Sequence, residues 1–157
     1  MQFQLLVVGK VREKWLQQGI NEYSRLLSRY GKVVVVEVPD QPCPKGVVLQ
    51  KQALQREGTQ ILARIKPRSY VVALDIKGKS MDSLGLAALF QSLALGGHSA
   101  ITFSIGGSMG LCQEVLRRAE ISLSFSAFTF PHQLMRLILL EQIYRACKIN
   151  AGETYHK

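Results

Sequence analysis

The sequence predicts an α/β fold in which a mostly parallel β-sheet carries helices on both faces. Two observations support this prediction. Short apolar segments, typical of buried strands, alternate along the chain with segments whose apolar residues recur at helical spacing. The chain has 157 residues, of which 47% are hydrophobic, which suits one domain with a sizeable core. No internal repeat or linker interrupts this order, so we expect a single domain over residues 1–157.

The first half of the chain predicts two strand–helix units. Phe3–Val8 is the first strand, and the segment after it has helical periodicity, with apolar residues at Leu16, Ile20, Tyr23, Leu27 and Tyr30. The β-branched run Val33–Val38 predicts a second strand, which ends at a proline-rich turn because proline cannot continue a sheet ladder. A second amphipathic helix follows and ends before Pro67, with one apolar face made of Leu54, Ile61, Leu62 and Ile65.

The second half continues the same alternation. Tyr70–Leu74 is the third predicted strand, and Lys77–Lys79 is predicted to form a turn after it. A helix is expected from about Asp82 to Leu95, with Ser80 or Asp82 as its N-cap. Ala100–Ile105 is the fourth strand, and the apolar stretch Ile121–Phe130 leads into a last helix that begins near Pro131.

Charge and cysteine content limit the class of protein. The formal net charge of +9 favours a polyanionic partner, with nucleic acid as the leading candidate and a merely basic surface as the alternative. No apolar run approaches the ~20 residues of a membrane span and no signal peptide is evident, so we expect a cytoplasmic protein without a membrane partner. The odd set Cys43, Cys112 and Cys147 has no C-x-x-C spacing, which predicts reduced thiols and no metal site.

A glycine cluster marks the expected ligand site. The strand that ends at Ile105 runs directly into Gly106-Gly107-Ser108-Met109-Gly110, and the next apolar stretch ends about 20 residues further on at Pro131-His132. Glycine at a strand end lets the backbone approach a ligand where a Cβ atom would obstruct it. The familiar phosphate, dinucleotide, zinc-protease and serine-hydrolase motifs are not satisfied, so this cluster is a ligand loop of another kind.

Several sequence blocks together identify a family resemblance that covers the whole chain. The blocks are Val8-Gly9-Lys10, Glu37-Val38-Pro39, Leu74–Lys79, Gly106–Leu111, Leu123–Ser126, Thr129–His132 and Gly152–Lys157. In these blocks the chain resembles the ribosomal large-subunit methyltransferase H family, the smallest members of the SPOUT class of S-adenosylmethionine-dependent RNA methyltransferases. One departure is Met109, which stands where relatives are expected to carry a polar or acidic residue.

The resemblance implies a C-terminal trefoil knot that holds the cofactor within roughly residues 70–157, and a homodimer. It also implies S-adenosyl-L-methionine as the cofactor and methylation of N3 of a pseudouridine in large-subunit ribosomal RNA, with the RNA acted on within the assembled ribosome. Residues carried over as cofactor contacts are Leu74, Gly106, Phe125, Ser126, Ala127, Phe128, Thr129 and Phe130. Main-chain groups at these strand ends are expected to bind the cofactor while apolar side chains enclose it.

Methylation at N3 requires that the nitrogen lose its proton before or during attack, so a base or a stabilising cation is expected beside the methyl group. The candidate catalytic residues are His156, Tyr155, Arg145 and His132. His156 is favoured as proton acceptor or orienting group because it belongs to the terminal motif, whereas His132 is alternatively a helix-start residue. The candidate RNA-binding residues are Lys77, Lys79, Arg136 and Lys157, although either arginine, Arg136 or Arg145, is alternatively paired with Glu141.

Two other functions remain open at this point. One is a ribosome-associated RNA-binding protein that uses the same basic surface without catalysis. The other is a methyltransferase of the same class that acts on a different RNA base. The first predicts affinity for RNA but not for S-adenosylmethionine, and the second is separated only by identifying the methylated nucleotide.

Overall fold

A computed structural model describes residues 1–155 of the chain. Strands and helices alternate through most of this range, as the apolar pattern predicts. The strands are β1 (Gln2–Val8), β2 (Lys32–Val38), β3 (Tyr70–Ser80), β4 (Ala100–Ile105) and β5 (Ile121–Ser124). The helices are α1 (Lys14–Leu27), α2 (Val47–Leu62), α3 (Ser83–Leu95), α4 (Gln113–Arg118) and α5 (His132–Asn150).

The strands form one five-stranded sheet in the order β2-β1-β4-β3-β5, and every pairing between these strands is parallel. The central pair brings together residues far apart in the chain, since Phe3 of β1 lies opposite Ile101 of β4. This arrangement confirms the predicted parallel sheet. All five strands therefore end at one edge of the sheet, hereafter the carboxyl edge.

Helices cover both faces, and β1 shows this directly because successive residues of a strand point to opposite sides. Phe3, Leu5 and Val7 belong to a large core that includes residues from α1, α3 and α5. Leu6 and Val8 belong to a second, smaller core with residues of α2 and α4. The predicted α/β architecture, a parallel sheet between two helical layers, is thus confirmed.

The third strand differs from the prediction. Lys77–Lys79 is not a turn, because β3 continues to Ser80 and pairs with β5 on both sides of a four-residue bulge, residues 75–78. Leu74 and Lys79 both lie opposite Leu123, so the register of the β3–β5 pairing shifts across the bulge. A Cβ atom on Gly78 would lie 2.6 Å from the carbonyl carbon of Ser122, so glycine is what allows the bulge to rest on β5.

Two further boundaries differ. The strand expected over Ile121–Phe130 stops at Ser124, and residues 125–130 form a loop before α5. The short helix α4 has six residues and was not predicted, because so short a segment shows little periodicity. Of the two N-caps expected for α3, Asp82 is confirmed, since its Oδ1 accepts a hydrogen bond of 2.7 Å from the amide of Gly85, whereas Ser80 is the last residue of β3.

The cysteines agree with the prediction of reduced thiols. Cys43 is exposed, Cys112 and Cys147 are buried, and all three are free. Burial raises the pKa of Cys147 to about 11, so this thiol stays protonated near neutral pH. In the described part of the chain, no helix has the length and apolar character needed to cross a bilayer.

Candidate functional site

The carboxyl edge of the sheet brings together the three chain segments expected to bind the cofactor. Leu74 lies on β3 at the last residue before the bulge, opposite Leu123 of β5. Gly106 follows β4 directly, and β4 is the other neighbour of β3. Phe125 follows β5 directly. Neighbouring parallel strands therefore place all three segments side by side, as the sequence predicts.

Residues 106–110 form a tight backbone turn, hereafter the glycine loop. The amide of Gly110 donates a 3.0 Å hydrogen bond to the carbonyl of Gly107, which closes the turn. A Cβ atom on Gly106 would lie only 2.2 Å from the carbonyl oxygen of Gly110, and Gly110 itself has a φ of +77°. Only glycine fits these two positions without moving the backbone. The glycine loop thus presents bare main chain at the end of β4.

Residues 125–130 form a second loop at the same edge, hereafter the β5–α5 loop. Ser126 accepts at its side chain a 3.0 Å hydrogen bond from the amide of Phe128, and at its carbonyl a 3.3 Å bond from Ser124 Oγ. These bonds hold the loop in one shape. Phe125 is half-buried against the large core, whereas Ala127, Phe128, Thr129 and Phe130 are exposed.

A cavity of about 260 Å³ lies beside the start of this loop. Its lining includes Met81 and Asp82 before α3, Ser124 and Phe125 at the end of β5, and Gln142 of α5. Ser83 Oγ donates a 2.6 Å hydrogen bond to Gln142 Oε1, which links α3 to α5 across this cavity. The cavity combines apolar walls with a few fixed polar groups, the usual composition of a small-molecule site.

His132 begins α5 at the opposite end of the carboxyl edge, near the ends of β1 and β2. A Cβ atom on Gly9 would lie 3.8 Å from His132 Nε2 and 3.9 Å from Asp40 Oδ2, so both side chains surround this glycine. Burial lowers the pKa of His132 and the charge of Arg136 lowers it further, while Asp40 opposes the shift. The imidazole is therefore neutral near neutral pH and is able to accept a proton.

Arg136 takes a different role from the one expected. Its side chain is 1% exposed, and Nη2 donates hydrogen bonds to the carbonyl oxygens of Val8, at 2.7 Å, and Gly9, at 2.8 Å. Its Nη1 also lies 3.2 Å from Glu37 Oε1. A guanidinium buried among these internal acceptors is not placed to grip a phosphate. Arg136 instead ties α5 to the ends of β1 and β2.

Two carboxylates in this region, Asp40 near His132 and Glu57 near Asp40, belong to no sequence motif. Asp40 follows β2, and Oδ1 of its side chain would lie 3.4 Å from a Cβ atom on Gly107, so it touches the glycine loop. Glu57 of α2 is buried and its Oε1 accepts a 2.9 Å hydrogen bond from the amide of Gln41. Burial raises the pKa of Glu57, and the charge of Asp40 raises it further. Spacing in the chain offered no signal for either residue.

Arg145 of α5 and Tyr155, which follows that helix, form a separate cluster near the C-terminal end of α5. Arg145 Nη2 lies 2.5 Å from Glu141 Oε1, which confirms the alternative that this arginine pairs with Glu141. The Tyr155 hydroxyl donates a 3.3 Å hydrogen bond to the same Glu141 oxygen, and the Arg145 guanidinium carbon lies 4.7 Å from the Tyr155 ring centroid. Burial raises the pKa of Tyr155, so its hydroxyl keeps its proton near neutral pH.

Within one chain, this cluster does not reach His132. Arg145 stands thirteen positions after His132 on the same helix, which is about 20 Å at 1.5 Å per residue. The structure thus separates two of the predicted catalytic residues, Tyr155 and Arg145, from the third, His132. The remaining predictions at the terminus, His156 as a catalytic residue and Lys157 as an RNA contact, lie outside the described residues.

The two lysines predicted to bind RNA lie on the extended part of β3. Lys77 is in the bulge and Lys79 is the first residue after it, and both side chains are exposed. The carboxylate of Asp75 accepts a 3.3 Å hydrogen bond from the amide of Lys77, which helps to shape the bulge. Since β3 and β5 are neighbours, these lysines share the carboxyl edge with the β5–α5 loop.

Solved structures support the same fold. A tRNA methyltransferase from Aquifex aeolicus superposes with a TM-score of 0.52 at 14% identity, covering 92% of this chain and 69% of that one. A methyltransferase from Legionella pneumophila, solved with bound cofactor SAM, superposes with a TM-score of 0.51 at 10% identity, covering 93% of this chain and 66% of that one. At such low identity these similarities concern the fold.

Sequence comparison is more specific. A family described as "Predicted SPOUT methyltransferase" matches residues 1–156. Proteins named ribosomal RNA large subunit methyltransferase H are 53% identical in Clostridium novyi and 50% identical in Clostridioides difficile, each alignment covering 100% of both chains. The expectation of a methyltransferase with S-adenosylmethionine as cofactor agrees with both comparisons. This chain belongs to the SPOUT methyltransferases and, among them, to the ribosomal RNA large subunit methyltransferase H family.

Proposed function

We propose that this enzyme transfers the methyl group of S-adenosylmethionine to N3 of a pseudouridine in large-subunit ribosomal RNA. The structural observation that carries the proposal is the bare backbone of the glycine loop, which shares the carboxyl edge with the end of β3 and the β5–α5 loop. The space where a Gly106 side chain would stand is closed by Gly110, so this main chain is fixed. A fixed, side-chain-free surface at the same edge of the sheet as a small cavity fits a cofactor held by main-chain hydrogen bonds.

Leu74, Gly106 and the β5–α5 loop hold the cofactor in this proposal, and Ser126 sets the loop in the shape that binds it. The bound cofactor supplies a methyl group on a positively charged sulfur. The chain's own contribution is to position the base and remove its N3 proton. His132 or His156 accepts that proton on an imidazole nitrogen. Arg145 stabilises the negative charge that remains on the base, and Tyr155 orients Arg145 through the shared Glu141.

The separation between His132 and the cluster of Tyr155 and Arg145 supports a homodimer with composite sites, in which both chains contribute residues to each site. About 20 Å of α5 divides Arg145 from His132, which is too far for both to contact one base. A second copy of the chain would bring its own Tyr155 and Arg145 to the glycine loop of the first. Each site then combines the cofactor segments of one chain with the terminal segment of its partner. The trefoil knot, the single-domain organisation and a cytoplasmic location are parts of the same proposal.

Complementation between two variants tests the composite site. Gly106→Ala disrupts the glycine loop that holds the cofactor, and Tyr155→Ala removes the tyrosine contributed by the terminal segment. Each homodimer should therefore be inactive. A mixed population refolded from equal amounts should recover roughly a quarter of wild-type activity, because half of the dimers are mixed and each has one intact site. No recovery, with mixed dimers present by mass, would mean that each chain works alone.

Two measurements separate the proposal from its alternatives. Calorimetry should detect S-adenosylmethionine binding to the isolated protein, which an RNA-binding protein without catalysis would lack. Methyl transfer to free RNA, isolated large subunits and whole ribosomes, followed by mapping of the modified nucleotide, should identify a pseudouridine methylated at N3. Methylation of another base would show a methyltransferase of the same class with a different target. His156→Ala should lower turnover at saturating RNA, and unchanged turnover would remove His156 from the mechanism.

A further inference from the structure

Phe128 is the most exposed aromatic side chain in the described part of the chain, with 79% of its surface accessible. It lies on the β5–α5 loop, and the hydrogen bond from the Phe128 amide to Ser126 Oγ fixes the shape of that loop. The ring is thus held outward by an ordered backbone. Exposing a phenylalanine so fully leaves a large apolar surface in water, and that surface is available to a partner.

The two neighbouring phenylalanines behave differently. Phe125 packs against the large core, and Phe130 is 37% exposed. An aromatic side chain that forms the wall of a cofactor cavity is enclosed on its other sides by protein. Phe125 meets that description because it lines the cavity beside β5, whereas the Phe128 ring has little protein around it. In the proposed cofactor site, residue 128 therefore contributes its main chain, and its ring is left for a different contact.

The surroundings of the carboxyl edge indicate what that contact is. The bulge beside β5 carries exposed Lys77, and exposed Lys79 follows it, while the bulge residue Ile76 is itself 54% exposed. The whole chain has a net charge of +9. An exposed ring and an exposed aliphatic side chain interleaved with lysines match the composition of surfaces that bind unpaired RNA, where bases stack on rings and lysines contact phosphates.

We propose that the Phe128 ring is a stacking platform for an unpaired base of the RNA substrate, next to the base that receives the methyl group. The inference rests on the proposed RNA methyl transfer and adds to it a contact that selects for single-stranded RNA. A base stacked on Phe128 would hold the RNA backbone over the bulge, within reach of Lys77 and Lys79. The stack is tolerant of sequence because every base has a flat face.

Fluorescence offers a direct test because Trp15 is the only tryptophan. In a Trp15→Phe background, Phe128→Trp places the sole indole at the proposed platform. A 12-nucleotide oligouridine should quench this indole as the complex saturates, with saturation followed independently by anisotropy of a labelled strand. The matched control carries Leu95→Trp in the same background. Leu95 is 84% exposed at the end of α3, at the opposite edge of the sheet, and an indole there should not be quenched.

Kinetics supply the second arm. Phe128→Ala should raise KM for large subunits on the order of tenfold, the effect expected for loss of one base stack, while Phe128→Tyr keeps KM near wild type. The Kd for S-adenosylmethionine should stay within about twofold in both variants, since the main chain at this position is unchanged.

Three results would overturn the stacking platform. They are saturation by oligouridine without quenching, no oligouridine binding at low salt, and a loss of S-adenosylmethionine affinity in Phe128→Ala as large as the loss of RNA affinity. A lower dimer fraction in Phe128→Ala with unchanged KM would assign the ring to a protein interface and overturn it as well. If the wild-type protein fails to methylate ribosomal RNA while quenching occurs, the proposed methylation fails and the platform stands.

Discussion

Arg136 Nη2 lies 2.7 Å from the carbonyl oxygen of Val8, so a buried side chain of the last helix completes the hydrogen bonding at the end of the first strand. The same nitrogen also donates to Gly9, and the bond to Gly9 continues this link into the turn after β1. Because a buried carbonyl without a donor is costly, this arginine stabilises the corner where His132 and the glycine loop meet.

Arg136→Ala should lower the free energy of unfolding by about 3 kcal/mol, because two buried carbonyl groups and Glu37 lose their donor. Urea denaturation at fixed protein concentration measures the change. Arg25→Ala is the control, since Arg25 pairs with Glu22 on the exposed face of α1 and its loss should leave the midpoint nearly unchanged. Equal midpoints for Arg136→Ala and wild type would contradict the structural role.

Gly106→Ala should weaken S-adenosylmethionine binding by at least about tenfold, because its Cβ atom would lie 2.2 Å from the Gly110 carbonyl oxygen and the glycine loop must move. Calorimetry gives the Kd. Gly97→Ala is a control with the same chemical change at the opposite edge of the sheet. Gly97 has a φ of +82°, which strains an alanine, but nothing lies within 4 Å of the added Cβ atom. It should bind the cofactor normally, and equal losses in both variants would argue against a local effect.

The lowered pKa of His132 predicts a pH dependence of stability. In the window between this lowered value and the ordinary value of 6.5, the unfolded chain binds more protons than the folded one. The contribution of His132 is therefore complete above 6.5 and is lost as the pH falls through that window. His132→Asn should flatten this acid dependence in urea denaturation, while His98→Asn, exposed at the other edge, should not. A His132 titration midpoint at or above 6.5 by NMR would refute the prediction.

Replacing Lys77 and Lys79 together by alanine should weaken binding to all single-stranded RNAs alike. The slope of log affinity against log salt should become shallower by roughly one to two, because each lysine that contacts a phosphate releases a counterion. Filter binding with oligouridine and oligoadenosine over a salt series measures both effects. Lys32→Ala, exposed at the start of β2 on the opposite edge, serves as a control. An unchanged slope in the double variant would show that these lysines stay solvated in the complex.

The sequence predicts the sheet well because strand formation here depends on local apolar runs. Val33–Val38 and Ala100–Ile105 need no distant information to be recognised as strands. The bulge at residues 75–78 could not be predicted, since its backbone is set by pairing with Leu123, which lies far along the chain. Residue type alone gave the wrong structure at Lys77–Lys79, where lysines and a glycine are typical of a turn.

The candidate site also contains some parts that local sequence predicts and others that depend on contacts distant in the chain. The glycine loop follows from its sequence, because a glycine cluster after a strand has few other uses. The role of Arg136 could not be predicted, since whether this arginine of α5 is exposed or buried depends on its distance from the ends of β1 and β2. Asp40 and Glu57 belong to no motif, and only the folded chain places Asp40 against the glycine loop and brings Glu57 of α2 to the same loop after β2.

The strand order has a consequence for biosynthesis. In the sheet, β1 lies between β2 and β4, and the residues of β4 are synthesised almost a hundred positions after those of β1. The strand β3 likewise pairs with β5, which is synthesised after it. When only the first half of the chain has left the ribosome, β1 is therefore able to pair with β2 but the backbone groups on its other side have no partner strand. Contacts so distant in sequence form slowly, and the growing polypeptide stays vulnerable to aggregation until residues 100–124 leave the exit tunnel.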